Sequence, residues 1–258
     1  MAIHGALLTA NFVVVPLLVW LLTLPVAGDR ALLVGALLVL LTPCIDYVVV
    51  FTHLGKGDSR LVLAATPVLL LLQLILLPLY LSLMLGGASA VVIDLMPFAE
   101  AFVLLIVVPL LLAVISQATA QRWSAAASWS AAWAWMPVPA MAGVLIAVVG
   151  SQIATVIGQL QTLAPLLPIY AAFMVLAPAT GALCAKAWGL AIPERRAVAF
   201  SAATRNSLVV LPLAMALPES VRLMAAAAVI TQTLVELVGE LIYLRAIPAL
   251  IRAGRPDA

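Results

Sequence analysis

The stretch Leu38-Val39-Leu40-Leu41-Thr42-Pro43-Cys44-Ile45-Asp46-Tyr47-Val48-Val49-Val50 decides the fold, because a helix breaker, a thiol and a carboxylate sit in the middle of an apolar run. Pro43 has no N–H to give a helix, and its ring crowds the carbonyl four residues back. A charge such as that of Asp46 costs about 2.5 to 3.5 kcal/mol at the bilayer centre, even on the lenient insertion scale. Yet the apolar residues extend from 31 to 54, long enough to cross a bilayer. The segment reads as a membrane span interrupted at Thr42-Pro43-Cys44-Ile45-Asp46. A second span, 197 to 217, has the same plan and is broken at Ser201-Ala202-Ala203-Thr204-Arg205-Asn206-Ser207.

Composition puts both in context. Of 258 residues, 66% are hydrophobic and 9% charged, and the mean hydropathy is +1.27, far from the half-apolar, quarter-charged balance of a soluble domain. Runs of about 20 apolar residues give eight spans, near 6 to 24, 31 to 54, 61 to 85, 98 to 119, 131 to 155, 163 to 188, 197 to 217 and 221 to 250. The linkers are too short for a soluble domain, so residues 1 to 258 read as one all-α polytopic membrane domain. Residues 1 to 24 lead straight into a full-length apolar run rather than to a small-residue cleavage site. Twelve Lys and Arg against ten Asp and Glu leave a net charge of +2, too small a basic surface for nucleic acid. Cys44 and Cys184 stand alone, without the spacing of a disulfide framework or a zinc site, and no cofactor motif is present.

Orientation follows from the basic residues of the short loops. One side holds Lys56, Arg60, Arg122, Lys186, Arg195, Arg196, Arg245, Arg252 and Arg255; the other holds Arg30 and Arg222. Both termini are expected in the cytoplasm, with Trp123, Trp129, Trp133, Trp135 and Trp188 as interfacial anchors. The setting is expected to be a bacterial plasma membrane.

Each broken span is the middle member of a hairpin-linked triple, and the triples are offset by five spans. An odd offset inverts one copy relative to the other. Paired interrupted helices in opposed repeats are the sequence pointer to a secondary transporter's midplane site. The bland alternative is an ordinary proline kink at Pro43 and polar residues that only pack between helices. A five-span repeat also leaves the first copy two spans short. Either the true start codon lies upstream of Met1 or the scaffold is reduced.

Asp46, Arg205 and Glu236 together would cost on the order of 8 to 10 kcal/mol if buried unpaired, so they are expected to be paired or solvated. If the breaks cross, Asp46 and Arg205 can meet, and Glu236 lies mid-span on the helix that hairpins back against the second break. A salt bridge that merely fixes the crossing is the alternative. The trio carries one uncompensated negative charge, which a proton or Na⁺ could balance through Glu236, alone or with Asp46. Glu240 lies one turn beyond on the same face and either shares that proton or lines a cavity. Cys44 is either a small buried hydrophobe or a soft ligand at an unwound helix end. Thr231 and Gln232, one turn from Glu236, can supply oxygen ligands; Asn11, Gln73, Gln117 and Thr233 are weaker candidates. Glu100 near the outer surface and His53 at the inner interface read as structural.

Residues Leu41 to Asp58 resemble the fourth-helix signature of arsenite efflux permeases, in the bile acid:sodium symporter superfamily. Phe200-Ser201-Ala202-Ala203-Thr204-Arg205-Asn206-Ser207 resembles their ninth-helix crossing segment, Leu234-Val235-Glu236-Leu237 the acidic patch of the tenth helix, and Asn11-Phe12-Val13-Val14-Val15-Pro16-Leu17-Leu18 the third. The resemblance implies a ten-span inverted repeat working by alternating access. Core helices would lie at about 6 to 85 and 163 to 250, panel helices at about 98 to 155, with two panel helices missing. Cys44 matches the permeases' cysteine and Glu236 their tenth-helix acid. The departures are Pro43 where those permeases usually have arginine, Arg205-Asn206 where they have two asparagines, and Asp46 in place of an apolar residue.

The expected function is secondary active efflux of arsenite or a related oxyanion acid, coupled to H⁺ or Na⁺. Cys44, Asp46, Arg205 and Asn206 would contact the solute, and Glu236, Asp46, Thr204, Gln232 and Glu240 would couple the ion. The alternative is Na⁺-coupled symport of a small organic anion, with Na⁺ at Asp46, Thr204, Asn206, Gln232 and Glu236. Intramembrane catalysis is not expected, since His4 and His53, the only histidines, lie near membrane surfaces. A channel would want a filter built from one repeated segment.

Overall fold

Asp29, Asp58, Glu194 and Asn206 stand where apolar runs begin, and each closes a helix N-terminus. In this computed structural model, which describes residues 2–86, 103–136 and 157–252 and isolated helical positions between 139 and 150, Asp29 accepts from the N–H of Ala31 and of Leu32, both at 3.1 Å. Asp58 takes the Arg60 N–H at 3.1 Å, Glu194 reaches back to the Ala191 N–H at 2.8 Å, and Asn206 takes the Val209 N–H at 3.1 Å. Each such cap is worth about 1 kcal/mol, and together they fix where the helices start.

Helix α1 is Ala2–Val26, with a π-helical stretch at Ala10–Val14. It is followed by α2 (Arg30–Leu40), α3 (Val48–Leu54) and α4 (Ser59–Met84). Next come α5 (Val108–Arg122), entered through the π-helical turn Val103–Val107, and α6 (Ser124–Trp133). The chain then forms α7 (Leu166–Ala187), α8 (Ile192–Ala203), α9 (Ser207–Met215) and α10 (Glu219–Leu250). Among the described residues all regular structure is helical, apart from one isolated β-bridge. The chain divides into two compact units: Met1–Ile93 with Val156–Ala258, which holds α1 to α4 and α7 to α10, and Asp94–Thr155, which holds α5 and α6.

Among the described residues, four helices are long and apolar enough to cross a membrane: Ala2–Val26, Ser59–Met84, Leu166–Ala187 and Glu219–Leu250. Their outward faces carry Leu17, Leu21, Leu71, Ile75, Val175, Leu183, Leu241 and Ile242, all more than half exposed. Hydrocarbon is the solvent such a surface fits, and the protein is an integral membrane protein. The expected spans 31 to 54 and 197 to 217 each fall into two helices too short to cross alone. The start of the span at 98, Glu100 with it, much of 131 to 155, and Arg255 lie outside the described residues.

Helix α2 is buried from Leu32 through Leu40 and lies against the alanine run Ala225–Ala228 of α10, which is equally buried. Small residues let the two backbones approach. A Cβ placed on Gly35 would stand 2.7 Å from Ala228 Cβ and 2.9 Å from the Ala225 carbonyl oxygen. Gly35→Val is therefore expected to destabilise the protein by about 1 to 3 kcal/mol, read as a lowered thermal midpoint. Gly28→Val, with nothing within 4 Å of the new Cβ, is expected to leave the midpoint nearly unchanged.

Candidate functional site

The helix α2 stops because Pro43 cannot continue it, and Thr42 closes its last turn by donating its hydroxyl to the Leu38 carbonyl at 2.6 Å. Helix α8 stops at Ala203 in the same manner, with Thr204 Oγ1 2.8 Å from the Phe200 carbonyl. Both chains then run extended, and they pass each other. Cys44 N–H donates to the Thr204 carbonyl at 3.0 Å, and Asn206 N–H donates to the Thr42 carbonyl at 2.9 Å, an antiparallel bridge between Pro43 and Arg205. Backbone groups freed by a break inside hydrocarbon cost several kcal/mol each if unpaired. Here each break satisfies the other.

Helix α10 backs the crossing with two glutamates, both fully buried. Glu236 Oε2 accepts from the backbone N–H of Arg205 at 2.9 Å and from Gln232 Nε2 at 2.5 Å. Its other oxygen, Oε1, lies 2.6 Å from Tyr47 Oη, which is also 2.9 Å from the Arg205 carbonyl. One turn on, Glu240 Oε1 lies 2.6 Å from Thr204 Oγ1. The two acids therefore grip the second break from behind, and Tyr47 ties the first break to the same point. A tyrosine hydroxyl has one proton and here faces two acceptors. With Glu236 ionised, that proton satisfies the carboxylate and leaves the Arg205 carbonyl without it. With Glu236 neutral, the acid donates to Tyr47, and Tyr47 donates on to the carbonyl.

The Arg205 side chain turns away from both acids. Its Nη2 lies 3.0 Å from Asn11 Oδ1, 2.7 Å from the Ser201 carbonyl and 2.6 Å from the Ala202 carbonyl. Its Nη1 reaches the Leu40 carbonyl at 3.4 Å, and the guanidinium carbon sits 5.5 Å from the Phe173 ring centre. Asn11, placed by the π-helical stretch of α1, also donates to the Leu7 carbonyl at 3.1 Å and to Ser201 Oγ at 3.0 Å. Several polar atoms beside the crossing are buried without partners among the described residues: Arg205 Nε, Asn206 Nδ2, Ser207 Oγ, Gln232 Oε1 and Glu240 Oε2. Groups left in that condition are costly to a purely structural crossing, and they are the donors and acceptors a bound solute or ion can use.

The profile of the sodium bile acid symporter family matches residues 5–180, about two thirds of the chain. The chain belongs to the sodium bile acid symporter family. The matched stretch takes in Asn11, the first break and Cys44, and stops short of the second break. A search of curated proteins gives no match. The family is one of transporters rather than enzymes, so the crossing belongs to a transport protein.

Within this symporter-family chain the expected site residues fare differently. Cys44, Thr204, Arg205, Asn206, Gln232, Glu236 and Glu240 are all buried around the crossing. Asp46 is not: it is exposed at the end of the first break, and the expected Asp46–Arg205 ion pair does not form. Paired residues of an antiparallel bridge share a face and an extended chain alternates its side chains, so Asp46, three residues beyond Pro43, does not share the face of Arg205, and the chain bends at Asp46 on its way into α3. The second break is also shorter than expected, since Ser201, Ala202 and Ala203 remain helical and only Thr204–Asn206 is extended. Thr231 and Thr233 spend their hydroxyls on the carbonyls of Ala227 and Val229, at 2.8 and 2.9 Å. Gln73 is buried with Oε1 unpartnered, whereas Gln117 is exposed. Tyr47 was not expected in the site. Its one signal is its place beside Asp46 at the start of α3, where a phenol in an otherwise Val-rich run has a polar tip to satisfy.

Proposed function

We propose that the protein is a secondary active transporter that expels arsenite or a related oxyanion acid by alternating access, coupled to proton movement at Glu236 and Glu240. The observation that carries this reading is the mutual pairing of two helix breaks with a thiol and two glutamates buried against them. Inverted repeats supply such crossings in secondary transporters, and on this reading the eight spans form two inverted copies. The larger unit acts as core, the smaller as panel, and both termini face the cytoplasm of a bacterial cell. Cys44 is the soft contact for a thiophilic solute, and Asn206 supplies an amide donor beside it. Thr204, Tyr47 and Gln232 position the two acids. Asp46, exposed at the break, meets the solute on its way in rather than at its resting place.

The test is uptake of labelled arsenite into everted membrane vesicles by wild type and Cys44→Ser. Serine fits the cavity of a fully buried cysteine, so expression is expected to hold while arsenite uptake falls by about a factor of ten, the loss of roughly 1.4 kcal/mol of differential binding. Unchanged uptake of an organic anion by the same variant, driven by a Na⁺ gradient, would instead favour the second reading, Na⁺-coupled symport of a small organic anion. The family's sodium symporters are what recommend that alternative.

A further inference from the structure

The oxygens around the Arg205 side chain form an arrangement that transporters usually offer to a free cation. Two helices end at the crossing with their carbonyls pointing to one place: Leu40 is the last residue of α2, and Ser201 and Ala202 lie in the last turn of α8. Each helix C-terminus carries the equivalent of about half a negative charge, so two of them together offset roughly one positive charge. Unwound carbonyls and half-helix C-terminal ends are the ligands that hold Na⁺ in broken-helix transporters. Here the cage of three backbone carbonyls and the Asn11 amide oxygen is filled by the guanidinium of Arg205, fully buried. Among the described residues no carboxylate is a hydrogen-bond partner of the guanidinium. Glu236 binds the Arg205 backbone N–H instead.

We propose that Arg205 is a tethered cation that permanently occupies a monovalent-cation seat at the helix crossing, making the assembly of the crossing independent of Na⁺ in solution. The inference rests on the transporter reading and goes beyond it, because it sets this chain apart from sodium coupling within a family named for sodium. The side chain brings the charge and spends its donors on the carbonyls that a diffusible ion would otherwise join. It therefore holds α2 and α8 together in every state of the cycle in which the crossing stays intact. What is left to exchange is the proton on the two glutamates.

The experiment uses the full-length protein purified in detergent. Thermal unfolding is followed in choline, Na⁺ and K⁺ chlorides at equal ionic strength, with and without low-millimolar guanidinium chloride. Wild type is expected to give one midpoint in all of them. Arg205→Ala opens the seat, and its midpoint in choline is expected to fall by several degrees and to rise again with guanidinium and with Na⁺. Arg205→Lys, which keeps a tethered charge, is expected to stay insensitive to all added cations. A wild-type midpoint that rises with Na⁺ over choline and K⁺ overturns the proposal, and so does an Arg205→Ala protein that folds yet ignores both guanidinium and Na⁺. If Arg205→Ala does not fold, the wild-type and Arg205→Lys measurements decide. Vesicle uptake of arsenite in Na⁺ and choline media separates the two readings. Equal uptake supports both. Absent uptake with the cation-insensitive wild-type midpoint overturns the arsenite assignment alone, and Na⁺-dependent uptake overturns the tethered cation and the proton coupling while leaving the arsenite assignment standing.

Discussion

Glu236→Gln is expected to lower arsenite uptake into everted vesicles by about tenfold or more, equivalent to at least roughly 1.4 kcal/mol of barrier, while leaving the protein folded. The amide copies the neutral acid. Its oxygen can take the place of Oε2 and accept from the Arg205 N–H and from Gln232 Nε2. Its NH₂ can take the place of Oε1 and donate to Tyr47, which then donates to the Arg205 carbonyl. Every hydrogen bond survives, and the one thing removed is a proton that can leave. Glu236→Leu differs: it strands two buried donors, the Arg205 N–H and Gln232 Nε2, while Tyr47 keeps the Arg205 carbonyl, and it is expected to cost about 3 to 5 kcal/mol of stability. Uptake measured across pH, beside the thermal midpoint of each variant, separates coupling from folding. A Glu236→Gln protein that transports at the wild-type rate with unchanged pH dependence takes Glu236 out of the coupling step.

Much of this arrangement is legible in the residues. Pro43 and the polar run at Thr204 announce the two breaks, because neither a missing N–H nor a charge is tolerated in a lipid-spanning helix without a partner. Glu236 is legible for the same reason. The direction in which each side chain points is another matter. Whether Asp46 lies near Arg205 depends on the register of the bridge between the breaks, and a shift of one residue in an extended chain moves every side chain to the opposite face. Sequence spacing fixes the distance of Asp46 from Cys44 but not the pairing of Pro43 with Arg205, so the most plausible ion pair on paper is the one that does not form. The π-helical stretch at Ala10–Val14 is illegible as well. Its residues are ordinary helix formers and apolar neighbours, and only the side chain of Asn11, polar in a span of valines and leucines, hints that something there needs a partner.

That hint leads to the second large effect: Asn11→Leu is expected to destabilise the protein by about 3 to 5 kcal/mol and to abolish transport. Three interactions go at once. A π-turn shifts hydrogen bonds from the fourth to the fifth residue and leaves a carbonyl over; in α1 the Asn11 amide serves the Leu7 carbonyl, at 3.1 Å, from its own side chain. The same amide holds Ser201 Oγ at 3.0 Å. Among the described residues its oxygen is the only side-chain oxygen bonded to the Arg205 guanidinium, a charge-assisted bond of about 1.5 to 3 kcal/mol. Leucine has similar bulk, so the loss is polar rather than a packing defect. Asn11→Asp supplies the control, because a carboxylate keeps the acceptor for Arg205 and loses both donated bonds. If the guanidinium is what the crossing depends on, Asn11→Asp is expected to retain most of the stability that Asn11→Leu loses, measured as thermal midpoints under one set of conditions. Equal losses in the two variants would put the weight on Leu7 and Ser201, and would mean that α1 holds its π-turn for its own sake rather than to seat the arginine.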